Sequence, residues 1–140
     1  MPSPFDGLGL APERTGKCAL LHPISRKPLV NRQTGDAAWI ELYSWHSPAA
    51  QEHRHQSADR VRRLGRDMTA AESEEDMGAM LARLTVAWDL VTLDGAPLAV
   101  DCTYEMARAA YNSLELRWVR AQVIDFLNNE GNFQAPGPTS

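Results

Sequence analysis

The sequence predicts an α+β fold: an N-terminal β-hairpin or small antiparallel sheet followed by a mainly helical C-terminal bundle. Three observations predict it. Trp39, Ile40, Leu42, Tyr43 and Trp45 crowd β-favouring side chains into one short run. Helix-start signals follow at Ser47-Pro48, Thr69 and Thr103. Apolar residues then recur at helical spacing through most of the C-terminal half.

Residues 1–16 are rich in Pro and Gly, with one apolar cluster at Phe5, Leu8 and Leu10, and read as a flexible arm. Residues 17–133 read as a single α+β domain. Residues 134–140, QAPGPTS, read as a disordered tail. Within the domain, Cys18 to Leu21 form a short apolar run. The turn-rich HPISRKPLVNRQTGD leads to the strand around Trp39–Trp45. The Thr34-Gly35-Asp36 turn favours antiparallel pairing with the earlier run. Alternation sets Trp39, Glu41, Tyr43 and Trp45 on one face and Ile40, Leu42 and Ser44 on the other. Both faces are partly apolar, so cover on both sides is expected, at least locally.

The first helix starts with Ser47 as N-cap and Pro48 at the first helical position, and runs to about Leu64, with Gly65 at its end. Its apolar content is thin (Ala49, Ala50, Ala58, Val61, Leu64), so it buries one narrow stripe or projects from the body. Thr69 and Glu72 form a capping box for the second helix, and Glu72, Glu74, Glu75 and Asp76 suit its positive N-terminal end. Met77, Met80 or Leu81, Leu84, Trp88 and Val91 continue at helical spacing, so the helix is expected to reach this far. Asp94-Gly95 suggests a small hairpin flanked by Val91, Leu93, Leu98 and Val100. Thr103 caps a short helix with Tyr104, Ala107, Tyr111 and Leu114 on one face. A last helix carries Leu116, Val119, Val123 and Phe126 or Leu127 and stops near Asn129-Glu130-Gly131, where Gly131 suits a left-handed cap.

The chain has 140 residues, 44% of them apolar, and a net charge of −4. That is enough to bury a core, and the acidic balance argues against a dedicated nucleic-acid binder. Cys18 and Cys102 form no CxxC pair and are expected as reduced thiols. MPSPFDGLGLAPERTG lacks a basic segment followed by an apolar stretch, so a secretory signal is not expected. No apolar run approaches the roughly 20 residues that span a bilayer. A soluble protein of a bacterial cytoplasm is the expectation, with no membrane partner.

Signatures of chemistry are sparse. GxSxG, P-loop and GxGxxG patterns are absent from the sequence, so no enzyme and no cofactor are expected. His53 and His55 lie two apart and diverge on a helix, where only residues three or four apart share a face. They read as exposed polar residues rather than metal ligands. The carboxylate run Glu74-Glu75-Asp76 is accounted for by the helix dipole and solvation. Arg54, Arg60, Arg62, Arg63 and Arg66 place five of the 14 basic residues in and just after the first helix. A phosphate-binding stripe would fit, but no aromatic residues interleave, and Glu52, Asp59 and Asp67 dilute it. A partner-binding face made of Arg54, Arg60, Val61, Arg63 and Leu64 is the preferred reading. Trp39, Trp45, Trp88 and Trp118 are expected mostly in the core.

The C-terminal pattern MLARLTVAWDLVTLDGAPLAVDCTYEMARAAYNSLELRWVRAQVIDFLNNEGNF resembles the tail assembly chaperones of long-tailed bacteriophages and related prophages. The matching features are an apolar helix ending at Trp88, the strand pair around Asp94 to Leu98, and Glu105 with Tyr111, at slightly shorter spacing than usual. They close with Trp118, Gln122, Val123 and Phe126 followed by Asn132-Phe133. More loosely, a strand ends before Ser47 and an arginine-containing helix follows. The resemblance covers roughly residues 17–133, and its motif residues are structural. Two departures stand out: Trp45-His46-Ser47 replaces a usual Gly-x-Asp-Ser turn, and the middle helix is unusually rich in Arg and His. The resemblance implies a protein that coats the tape measure protein, assists tail tube polymerisation and is absent from the finished virion. The tail tube protein and self-association are its secondary expectations. A structural virion protein, such as a tail terminator or head–tail connector, is the alternative, and a nucleic-acid-binding regulator is a more distant one. The closing motif reads as a helix lock: Gln122 bonds a neighbouring backbone or the surroundings of Trp118, Asn132-Phe133 fold back over the helix end, and Phe133 packs on the core.

Overall fold

The computed structural model describes residues 14–133. The elements run β1 (Thr15–Ala19), β2 (Trp39–Tyr43), α1 (Pro48–Leu64), α2 (Ala70–Leu84), β3 (Thr85–Val91), β4 (Pro97–Leu98), α3 (Tyr104–Tyr111) and α4 (Arg117–Leu127). Two 3-10 turns, Leu114–Leu116 and Glu130–Phe133, flank α4. The four strands form one antiparallel sheet in the order β1-β2-β3-β4. The class is α+β, as the sequence predicts. β1 starts at Thr15, two residues inside the stretch expected as an arm. The rest of that arm (residues 1–13) and the tail 134–140 lie outside the described residues.

The sheet has one covered face. Cys18, Ile40, Leu42 and Ser44 are buried, while their alternating neighbours Trp39, Glu41, Tyr43 and Trp45 are half-buried. On the outer face the Lys17 ammonium sits 4.2 Å from the centre of the Trp39 ring, and Thr15 Oγ1 donates to Glu41. Leu81 and Leu84 from α2, Ala107 and Tyr111 from α3, and Val119, Val123 and Leu127 from α4 complete the core with the covered face. Burial pushes the Cys18 thiol up to about 11, and Cys18 and Cys102 are both unpaired thiols.

The caps act as the sequence predicts. Ser47 Oγ accepts from Ala50 N–H, and Gly65 ends α1 at φ +68°, a left-handed conformation that costs a glycine nothing. Thr69 and Glu72 make both bonds of a capping box. Thr103 accepts from Met106 N–H to start α3.

Three expectations need correction. The α2 periodicity does not extend to Trp88 and Val91, because the helix ends at Leu84 and Thr85–Val91 is a strand. Threonine, valine and tryptophan favour extended backbone, and this segment pairs with β2 across Trp39↔Asp89 to Leu42↔Thr85, with a bulge on the way. Leu114 does not share the buried α3 face; it sits 76% exposed on the 3-10 turn after the helix has ended. Gly131 is not a left-handed cap: Asn128 ends α4 in a right-handed conformation, and the chain turns on through a 3-10 segment.

Candidate partner-binding site

α1 is the least buried helix relative to its length. Of its seventeen residues only Ala50 and His53 are buried. The sequence reading left His53 on a solvated face. The structure buries it, because three residues after Ala50 is one helical turn on, facing α2.

The seam between α1 and α2 is polar. The ring nitrogen His53 Nε2 lies 3.2 Å from Asp76 Oδ1, and Ser57 Oγ donates to both Asp76 oxygens at 2.9 and 3.0 Å. Arg83 of α2 donates to the Gln56 side chain. Two buried nitrogens in this seam, His53 Nδ1 and Arg83 Nε, have no hydrogen-bond partner. A Ser–His–Asp grouping suggests nucleophilic chemistry, but here the hydroxyl donates to the carboxylate and not to the imidazole. The imidazole is therefore not placed to take the serine's proton, and the trio acts as a fastener between helices. Among the described residues no three His, Cys, Asp or Glu side chains gather closely enough to hold a metal ion.

At the free end of the seam one carboxylate holds three groups. Glu72 accepts from Thr69 N–H, from Arg66 at 2.7 Å and from Arg60 at 3.4 Å. The Arg66 guanidinium, with the Thr69 backbone, holds the Glu72 carboxyl down to about 2. Arg62 pairs with Asp59 on its own helix. Of the rest of the acidic run, Asp76 is held in the seam and Glu74 meets Arg117 and Arg120.

The five sequence-predicted contact residues do not share one face. Arg60, Val61 and Leu64 continue the side turned to α2, with Arg60 tied to Glu72, Val61 half-buried and Leu64 41% exposed. Arg54 and Arg63 are exposed. They stand nine residues apart, about 180° around the helix, and so flank this side on opposite flanks. With Arg60, Arg62 and Arg66 paired internally, a continuous phosphate-binding stripe is not what the geometry offers. What remains is a long polar helix with one apolar tip. An open groove of about 510 Å³ at its start has Tyr43, Pro48, Ala49 and Glu52 in its wall.

The motif residues of the C-terminal half lie elsewhere and hold the fold together. Gln122 clamps the backbone after β1: its Oε1 accepts from Leu21 N–H and its Nε2 donates to Leu21 O, both at 2.9 Å. Asn132 Nδ2 donates to Phe126 O at 2.9 Å, and buried Phe133 meets Phe126 edge-on at 5.4 Å. Gly16 lies under this turn, where a Cβ would meet Asn132 O at 2.6 Å and the Phe126 ring at 2.8 Å. Val123 is fully buried and Trp118 packs against the core. Trp88 Nε1 donates to Val100 O at 2.7 Å. Tyr111 and Thr85 share a bond of 2.8 Å. Since Thr85 already donates to Leu81 O, Tyr111 is its donor. Burial raises the Tyr111 phenol above its ordinary range.

The α1–α2 seam was missed in the sequence, although Ala50, His53, Ser57, Arg60, Val61 and Leu64 recur at helical spacing. Their mixed polarity hides a docking stripe that an apolar count cannot find. No protein-family model, no curated protein and no solved structure matches the chain.

Proposed function

We propose that this protein is a bacteriophage tail assembly chaperone. It binds the tape measure protein in the cytoplasm of the host bacterium, assists tail tube polymerisation, and is left out of the mature virion. The observation that carries the reading is α1: seventeen residues of helix of which only two are buried. A helix that gives so little to the core has most of its side-chain surface available to a partner. Supporting it is the resemblance of the closing segment, whose Trp118, Gln122, Val123, Phe126, Asn132 and Phe133 act as a lock on the fold.

The physical task suits this surface. A tape measure protein carries long amphipathic helical stripes that aggregate unless covered. Leu64 and Val61 offer a small apolar contact, and Arg54 and Arg63 flank it with charge that steers an acidic neighbour. So small a contact binds each site weakly, which lets tube subunits displace the chaperone by mass action. No helix among the described residues is long and apolar enough to cross a membrane.

The test is co-expression with a fragment of the cognate tape measure protein. The expected result is a soluble complex and suppressed aggregation, both weakened by Leu64→Asp and by joint Arg54→Glu and Arg63→Glu. No complex and unchanged aggregation sink the proposal. Stoichiometric recovery of the protein from purified virions, measured by mass spectrometry, replaces it with the structural virion reading.

A further inference from the structure

We infer that three turns gathered at one end of the sheet form a second docking platform, one that takes an acidic segment of another protein and its apolar anchor side chain. The first turn spans His22–Lys27. His22 N–H donates to Lys27 O at 2.8 Å and Arg26 N–H to His22 O at 3.0 Å. The His22 ring nitrogen Nδ1 accepts from Ile24 and Ser25 N–H at 3.1 and 3.3 Å. This bonding holds Arg26 at φ +62°, in the left-handed region where asparagine or glycine would sit with less strain. The outcome is Ile24 held outward at 86% exposure, the most exposed large apolar side chain among the described residues. A strained backbone that presents an apolar side chain to water contributes nothing to the core. It points to a contact made with something else.

A second pair of turns lies beside the first. Arg32 N–H donates to Gly95 O at 2.9 Å and Arg32 Nε to Asp94 O, which joins the Asn31–Asp36 turn to the turn before β4. A cleft of about 160 Å³ lies between them, with Ser25, Lys27, Val30, Arg32, Leu93 and one carboxylate, Asp94, among its walls. That is room for a single inserted side chain. Val30, Leu93 and Leu98 are exposed at the same end. Because the turns are already fixed, binding costs little ordering of the platform.

Charge selects the partner. Arg26 and Lys27 are exposed beside Ile24, and among the described residues neither has a carboxylate within ion-pair distance. Arg32 spends its Nε on a backbone carbonyl. Asp36 and Asp94 are the carboxylates of the neighbouring turns, so the rim keeps an excess of cation on a chain of net charge −4. A basic rim around an apolar tip fits a segment that sets Asp and Glu on either side of a leucine or phenylalanine. The surface involves neither α1 nor α2 and stands whether or not α1 binds the tape measure protein.

The experiment titrates the isotope-labelled full chain with a ten-residue peptide carrying one Leu-Phe pair between Asp and Glu, and follows amide shifts by NMR. Saturable shifts are expected at residues 22–32 and 93–98. Lys27→Glu should weaken binding about tenfold, and raising the salt should weaken it further. Arg26→Gly separates charge from turn structure: it relaxes the left-handed position, so the fold gains stability while the affinity drops about threefold. A peptide with Lys and Arg in place of the acids should leave the spectrum unchanged. Three results overturn the inference: shifts confined to α1, equal binding by the acidic and basic peptides, or the same shifts produced by raising the protein's own concentration. The last would make a second copy the occupant.

Discussion

α4 and α1 are fastened to the same body in opposite ways. α4 buries Val119, Val123 and Leu127 and then seals its attachment with amides whose bonds are all made to backbone, Gln122 to Leu21 and Asn132 to Phe126. α1 buries an alanine and a histidine and holds α2 through side chains, with two nitrogens in the seam left without partners. Buried apolar area with satisfied polar groups is what makes a junction strong, while unsatisfied buried groups subtract from it. The difference teaches which part is scaffold and which part is free to serve a partner. The expected consequence is that the C-terminal lock sets global stability and that α1 opens at lower cost than α4.

The largest expected effect tests the lock. Leu127→Ala removes a fully buried side chain and should cost about 2–5 kcal/mol, seen as a shifted denaturant midpoint with unchanged slope. A loss under about 1 kcal/mol would show that the C-terminal turn is not the keystone argued here. Gly16→Ala drives a methyl into Asn132 O and Phe126. It should cost about 1–3 kcal/mol and displace the Phe133 turn, detectable as changed aromatic shifts.

Next in size is Gln122→Ala. It leaves Leu21 N–H and C=O without the partners they have in the native fold, a cost of about 1–3 kcal/mol. Gln122→Glu is the sharper variant: it keeps the shape and the acceptor for Leu21 N–H but sets a carboxylate oxygen against Leu21 O, so at neutral pH it should destabilise at least as much as alanine. Equal stability of all three would mean the clamp carries no energy.

A smaller effect belongs to the α1 seam. Asp76→Ala deprives His53 and Ser57 of their shared acceptor. Global stability should fall by about 1 kcal/mol or less, since α1 contributes little to the core. Amide exchange in residues 53–64 should nevertheless accelerate strongly while α4 stays protected. Parallel loss of protection in both helices would merge the two regions that the comparison separates.

The same contrast explains what the sequence disclosed. The lock was legible because its ingredients are apolar and periodic (Val119, Val123, Leu127) and because an amide beside such a stripe needs a backbone partner. Which backbone Gln122 would reach was not, since Leu21 lies a hundred residues away and local spacing carries no long-range register. Caps at Ser47, Thr69 and Thr103 were legible because capping is local chemistry. The end of α2 was misread because Met77, Leu81, Leu84 and Trp88 satisfy a helical period while Thr85–Val91 favours extended backbone, and pairing with β2 decides between them. The α1 face was drawn from residue types alone. Once Arg60 and Arg66 spend their charge on Glu72 and Arg62 pairs with Asp59, only Arg54 and Arg63 of the five predicted cations are without a carboxylate among the described residues.

Glu72 gives the gentlest probe of the α1 end. Its carboxylate caps α2 and holds Arg60 and Arg66, and its bonds to Arg66 and Thr69 depress its titration from 4.5 to about 2. A depressed carboxylate stabilises the fold fully above its unfolded value and loses that contribution as pH falls through the folded one. The window is therefore between 4.5 and about 2; at neutral pH the contribution is complete and does not change with pH. Because the site faces solvent, salt should shrink the effect, and the response should stay local. Followed by NMR, the Thr69 amide should keep its hydrogen-bonded shift until the pH nears 2 and lose it there, and the end of α1 should fray while Phe133 keeps its native shift. Glu72→Gln should abolish the transition. Titration of Glu72 in the ordinary carboxylate range would mean that its bonds to Arg66 and Thr69 carry no energy, and acid loosening of Phe133 in step with Thr69 would mean that the end of α1 and the locked body respond as one.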